Sequence, residues 1–235
     1  VMLAITTTAG TILHTGDFKI DYTPIDGKPM DLGRIAELGN KGILALMSDS
    51  TNSERKGFTM SEKSVGAVFD KLFMNCKKRI VVATFASNVH RVQQIVDSAV
   101  KYGRKIAVCG RSMINMIENA RALGYINAPE DIFIDIDLIR NYNDEQLVII
   151  TTGSQGETMS ALTRMAAGEH KKVTITPNDL VIISANAIPG NEKLVSKVID
   201  DLMKIGAEVV YSALADVHVS GHACKEEQKL ILSLA

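Results

Sequence analysis

Apolar residues in this chain fall in short β-branched runs, and from about residue 60 onward these runs alternate with stretches of helical spacing. The first run, "VMLAITTT", reads from residue 1 as the interior of a strand. With Ala9-Gly10 and the following "TILH" it has the signature of a hairpin, two β-branched runs about a glycine-containing turn. After a polar segment, "GILALMSDS" is a second apolar run, and the hydroxyl and amide side chains of residues 48–52 suit a turn at a strand's carboxyl end. A helix is expected from Ser61, with Val65, Val68, Phe69 and Leu72 at helical spacing, and "RIVVATFA" reads as a buried strand. Val89, Val92, Ile95, Val96 and Val100 then mark one helical face that stops at Gly103. "KIAVCG", a helix over 113–123, "QLVIITTG", a helix near 160–166, "DLVIISAN", a helix over 192–206 and "EVVYS" continue the alternation. Strands and helices taking turns in this way imply βαβ units and a doubly wound, mainly parallel sheet, an α/β fold placed at residues 56–211.

Composition narrows the picture. The chain has 235 residues, 46% of them hydrophobic and 23% charged, enough apolar material for one large core or two small ones. A formal net charge of -1 means that a nucleic-acid partner would have to be gripped by a local cluster, since no basic coat exists. Cys76, Cys109 and Cys224 are scattered without metal-ribbon spacing, which fits free thiols in a reducing cytoplasm. No apolar run approaches the roughly 20 residues that span a bilayer, so no membrane association is expected.

In a doubly wound sheet, ligands bind outside the carboxyl ends of the strands. Three loops occupy such positions: "TFASNVHR" at 84–91, "TTGSQGE" at 151–157 and "ANAIPGNE" at 185–192. Small and hydroxyl residues leading into helices suit an anion, although helix caps and turns use the same residues. None is a P-loop or a dinucleotide fingerprint. Near the end, "ADVHVSGHACKEEQ" places His218 and His222 on either side of a Val-Ser-Gly turn before a helical segment. A strand-to-helix connection capped by Ser220 accounts for it as simply as a site does.

Six motifs in order, "HTGDFK" (14–19), "SDSTN" (48–52), "FASNVHR" (85–91), "TTGSQGE" (151–157), "IPGNEK" (188–193) and "HVSGHA" (218–223), resemble ribonuclease J, the bacterial and archaeal member of the β-CASP branch of metallo-β-lactamase-fold nucleases. The resemblance covers nearly the whole chain. It implies a zinc-dependent enzyme that cuts RNA internally and processively from a 5′-monophosphate end, in mRNA decay and rRNA processing, with RNA as partner and a self-associating parent. It also implies a β-CASP domain at 56–211 flanked by partial metallo-β-lactamase-fold segments at 1–55 and 212–235. On their own, the hairpin and last helix of those segments are expected to rest on the inserted domain or on a second copy.

Carried over residue by residue, the resemblance makes Asp17 a metal-bridging carboxylate, Asp49 the acid of β-CASP motif A that orients a neighbouring histidine, and His222 the motif B imidazole beside the scissile phosphate. Ser220, Gly221 and Ala223 would offer donors to the RNA phosphate, and Ser87, Asn88, His90, Arg91, Ser154 and Gln155 would line the RNA channel and 5′-end pocket. The family's H-x-H-x-D-H motif does not occur here, nor do the histidines of its motifs 3 and C. A fragment is therefore expected, one that does not hold the two zinc ions and is inactive alone. Two other readings stay open: another β-CASP nuclease, against which "HVSGHA" counts, and a non-catalytic RNA-binding or assembly module.

Overall fold

The structure is a computed structural model and describes residues 2–235. Val1, the first residue of the expected hairpin strand, lies outside the described residues. By contacts the chain divides into two compact units, one of Val1–Lys63 with Val219–Ala235 and the other of Ser64–His218. Local bonds explain boundaries that lie near 55/56 and 211/212 without coinciding with them. Residues 56–63 stay with the first unit through Thr59, whose amide donates to Glu227 at 2.7 Å, and Met60, whose carbonyl accepts from Lys19 Nζ at 3.1 Å. Residues 212–218 stay with the second through Ser184 Oγ, which donates to the Val217 carbonyl at 2.5 Å.

The larger unit is a six-stranded sheet, all parallel. In chain order its elements are α2 (Lys63–Phe73), β4 (Arg79–Ala83), α3 (Val89–Lys101), β5 (Lys105–Cys109), α4 (Arg111–Ala122), β6 (Phe133–Ile134), β7 (Leu147–Thr151), α5 (Ala161–Ala166), β8 (Asp179–Ile183), α6 (Glu192–Ile205) and β9 (Glu208–Tyr211). The strands lie in the order β6-β5-β7-β4-β8-β9. Every residue of β7 and β8 is buried, as a parallel sheet covered on both faces requires. Val81, Ile149 and Val181 face a core that includes Leu162 and Met165 of α5 and Leu202 of α6. The alternate residues Ile80, Val82, Val148 and Ile150 point to the opposite face and are equally buried, while α3 and α4 pack against β5. Burial pushes the Cys109 thiol up to about 11. With about a thousandth of it ionised at pH 8, Cys109 is expected to resist iodoacetamide in the folded chain while half-buried Cys76 reacts, a difference that peptide mass mapping would read.

The smaller unit precedes and follows this sheet in sequence. β1 (Leu3–Thr7) and β2 (Gly10–His14) form the expected antiparallel hairpin, and β3 (Ala45–Met47) joins β2 in parallel. Helix α1 (Leu32–Lys41) occupies part of the stretch read as merely polar. Gly33 and Gly39 weaken its helical signal, but Asp31 caps it by accepting from the Arg34 amide at 2.9 Å. Its partner is α7 (Lys225–Leu234). Leu13, Phe18, Ile20, Ile35, Ala223 and Ile231 form a core belonging to this unit, so the hairpin and last helix have apolar support of their own. A side chain at Gly39 would collide with the Leu234 carbonyl. Gly39→Ala is expected to cost about 1–3 kcal/mol locally, read as lost amide protection in α1 and α7 with the 64–218 unit unchanged. Among the described residues, no helix is long and apolar enough to cross a membrane.

Candidate functional site

In the smaller unit, β2 and β3 run side by side and end together, which brings "HTGD" and "SDS" to one edge of the sheet. Thr15 continues their ladder, its amide donating to the Met47 carbonyl at 3.0 Å. Its hydroxyl, fully buried, also accepts from the Asp49 amide at 3.0 Å, so one side chain fixes the offset between the Asp17 and Asp49 loops.

Asp49 is placed by its neighbours. Oδ1 accepts from the Thr51 amide at 3.0 Å and the Thr51 hydroxyl at 2.7 Å, and Oδ2 lies 2.9 Å from His222 Nδ1. Burial works to raise its pKa, but the Thr51 and His222 hydrogen bonds outweigh burial and hold the carboxyl below the usual carboxylate range. An ionised carboxylate can only accept, so His222 carries its Nδ1 proton toward Asp49 and leaves Nε2 for other chemistry. The Asp49 side chain is 3% exposed and that of His222 32%, an arrangement of buried orienter and accessible ring.

The loop bearing His222 is held from below. Asn52 Nδ2 donates to Ser220 Oγ at 2.9 Å and to the His222 carbonyl at 3.1 Å, and Ser220 Oγ in turn accepts from the His222 amide at 3.1 Å. The ligand atoms of Asp17, Asp49 and His222 all lie within 4.8 Å of one another. Asp17 is exposed, and its carboxylate has no hydrogen-bond partner among the described residues. It opens with His14, Gly16, Met47, Ser48 and Asp49 onto a pocket of about 420 Å³. Carboxylates and an imidazole are hard and borderline donors whose chemistry suits a divalent cation, but Asp49 and His222 Nδ1 are engaged with each other, so the Asp17 carboxylate is the unengaged donor of the three. That carboxylate thus fits one side of a metal centre.

The remaining candidates from the sequence fall into two groups. Ser220 and Gly221 sit in the His222 loop, whereas the Ala223 side chain is buried in the small core and leaves only its backbone for a ligand. In the larger unit, β4 has β7 and β8 as its neighbours, so the loops after these three strands meet at their carboxyl ends. Ser87 and His90 are exposed there and Asn88 is partly so, with Asn88 Oδ1 capping α3 by accepting from the Arg91 amide at 3.1 Å. Arg91 is fully buried. Its Nη1 donates to the Ser184 carbonyl at 3.0 Å and, 2.8 Å away, to His218 Nδ1; because a guanidinium can only donate, His218 keeps its own proton on Nε2. Gln155 is also buried, with Nε2 donating to the Asn186 carbonyl and Oε1 accepting from the Ile188 amide, both at 2.7 Å. It clamps the 185–192 loop to the 151–157 loop, and Ser154 beside it is equally buried. In both loops the structure therefore puts some polar side chains to work inside the protein and exposes others.

Asn52 and Thr59 had no assigned role on sequence grounds. Asn52 lies within "SDSTN", but an asparagine that holds a segment 170 residues away leaves no local signal.

A family model described as "Ribonuclease J, beta-CASP domain" matches residues 77–202, more than half of the chain. Ribonuclease J of Helicobacter pylori (strain ATCC 700392 / 26695) is 55% identical over 232 residues, which cover 99% of this chain and 34% of that protein. Ribonuclease J of Synechocystis sp. (strain ATCC 27184 / PCC 6803 / Kazusa) is 51% identical, covering 99% of this chain and 36% of its own length. Ribonuclease J 1 of Streptococcus pyogenes serotype M3 is 48% identical over 234 residues, 42% of its length. The chain spans 34–42% of the length of these relatives.

Proposed function

The chain belongs to the ribonuclease J family through its β-CASP domain, and we propose on that footing that it carries part of the active site of a zinc-dependent nuclease that hydrolyses RNA from a 5′-monophosphate end and internally. The observation that supports this reading most directly is the Asp49–His222 pair at 2.9 Å with the Asp17 carboxylate in reach of both.

In this reading, Asp17 contributes one donor to the metal centre and the rest of the full-length protein contributes the others. The metal, when bound, supplies an activated water and neutralises charge on the phosphate. The chain's own residues do the rest. Asp49 keeps the His222 ring in one orientation, with Nδ1–H engaged, so that Nε2 faces the phosphodiester and, in the doubly protonated ring, carries the proton to be given. As the P–O bond breaks, the leaving oxygen takes that proton from Nε2. Ser220 and Gly221 lie beside the same phosphate, and exposed Ser87 and His90, with partly exposed Asn88, contact the RNA strand. Arg91, Ser154 and Gln155 act one step back, shaping the loops that those residues sit on.

With one unengaged carboxylate and a single Asp–His pair, the isolated chain is proposed to bind no pair of zinc ions and to cut no RNA. The test is a parallel assay of the full-length protein and this chain on 5′-monophosphorylated and 5′-triphosphorylated RNA, with zinc measured in both. Zinc-dependent cleavage by the full-length protein, faster on the monophosphate, supports the reading. A full-length protein loaded with metal that leaves both RNAs intact would sink it.

A further inference from the structure

Glu227, in the first turn of α7, is the most heavily engaged carboxylate of the smaller unit, and neither the sequence motifs nor the proposed chemistry uses it. It is fully buried. Oε2 accepts from the Cys224 amide at 2.8 Å, the Thr59 amide at 2.7 Å and the Thr59 hydroxyl at 2.7 Å, while Oε1 accepts from the Ile20 amide at 2.7 Å. Among the described residues no cation pairs with it, so its compensation comes from these N–H and O–H donors.

A helix cap needs only the first of these bonds, the reciprocal contact in which the side chain at the third helical position reaches back to the N-cap amide of Cys224. The other three join segments that carry the site. Ile20 follows Asp17 by three residues and Cys224 follows His222 by two. Thr59 Oγ1, 2.7 Å from Glu227 Oε2, is also 2.9 Å from the His222 carbonyl, so the same hydroxyl touches the carboxylate and the backbone of the histidine.

We propose that Glu227 is a positioning residue for the site: through Ile20, Thr59 and Cys224 it fixes the Asp17 loop and the His222 loop relative to each other. The proposal rests on the functional reading above for what the site does, and on hydrogen bonds within one compact unit for how it is held. A displacement of about 1 Å at either loop would be enough to cost about 100-fold in a positioned reaction.

Glu227→Gln is nearly the same size but replaces one acceptor oxygen with a donor, which must then face either the Ile20 amide or the Thr59 and Cys224 donors. Two readouts test the link. In this chain, the His222 Nδ1–H resonance, held by Asp49 in the wild type, is expected to broaden or vanish in Glu227→Gln while the amide spectrum of residues 64–218 stays unchanged. In the full-length protein, kcat for RNA cleavage is expected to fall about 10- to 100-fold with KM nearly constant. If Glu227→Gln does not fold, Thr59→Val decides instead, because it removes only the hydroxyl between the carboxylate and the His222 carbonyl; the same change in the resonance is expected. Folded variants that keep both the wild-type resonance and the wild-type kcat overturn the proposal. A wild-type full-length protein without nuclease activity overturns the functional reading alone, and the imidazole resonance still tests the link.

Discussion

His222→Ala in the full-length protein is expected to lower RNA cleavage by about 100- to 10,000-fold while leaving bound metal close to the wild-type level. The geometry favours this separation of effects. The ring's Nδ1 is committed to Asp49, whose other oxygen is committed to Thr51, so the pair is already satisfied without a cation. Truncation leaves Asp49 with its Thr51 bonds and leaves the His222 backbone held by Asn52 and Ser220, so the loop should keep its path. Asp49→Asn is the natural companion, because the amide keeps the shape and, with its oxygen on Thr51, turns an N–H donor toward Nδ1 in place of the acceptor that holds the Nδ1 proton. Its kcat should lie between wild type and His222→Ala. Steady-state kinetics together with metal analysis of each purified variant checks both. Equal losses of metal and activity in His222→Ala would make the imidazole a ligand, an arrangement that its place within 4.8 Å of Asp17 and Asp49 would accommodate.

Much of the larger unit is legible in the chain because parallel strands buried on both faces read as unbroken apolar runs, and β4, β7 and β8 do. Helices α3 and α6 are equally plain, with apolar residues at helical spacing and glycines just beyond their ends. Helix α1 escapes because two of its ten residues are glycine and its stability comes from packing on α7, a contact that no local pattern announces. The two-residue β6 and the 3₁₀ turns over Ile136–Asn141 and Asp144–Gln146 are too short to show a period.

The site divides in the same way. Asp49 and His222 lie 173 residues apart in sequence, so no spacing rule joins them; only a resemblance to a family with both motifs pointed to them together. Polar loop residues mislead in the opposite direction. Arg91 and Gln155 have the chemistry of phosphate ligands, yet their side chains are consumed by the Ser184, His218, Asn186 and Ile188 positions that shape the neighbouring loops. A short motif reports that a residue type is wanted at a position. Burial decides whether it meets a ligand or holds the residue that does.

Asp17 gives the sharpest contrast between what a residue does for the fold and the metal-binding role proposed for it. Its carboxylate is exposed, accepts no hydrogen bond among the described residues, and stands near a second carboxylate held in its ionised form. Nothing in the fold calls for a charge there, and mutual repulsion argues against one unless a cation is to be bound. Asp17→Ala in this chain should therefore leave the thermal midpoint unchanged or slightly raised at low ionic strength, with the gain fading as salt screens the repulsion. In the full-length protein the same substitution should cost metal affinity by more than the roughly 10- to 100-fold that partners behind a ligand are worth, and RNA cleavage with it. Calorimetric melting of the chain and metal titration of the full-length variant read the two effects independently. A destabilised chain would make Asp17 a structural residue, and full metal retention would remove it from the ligand set. Opposite signs in the two experiments are expected only of a carboxylate kept for an ion.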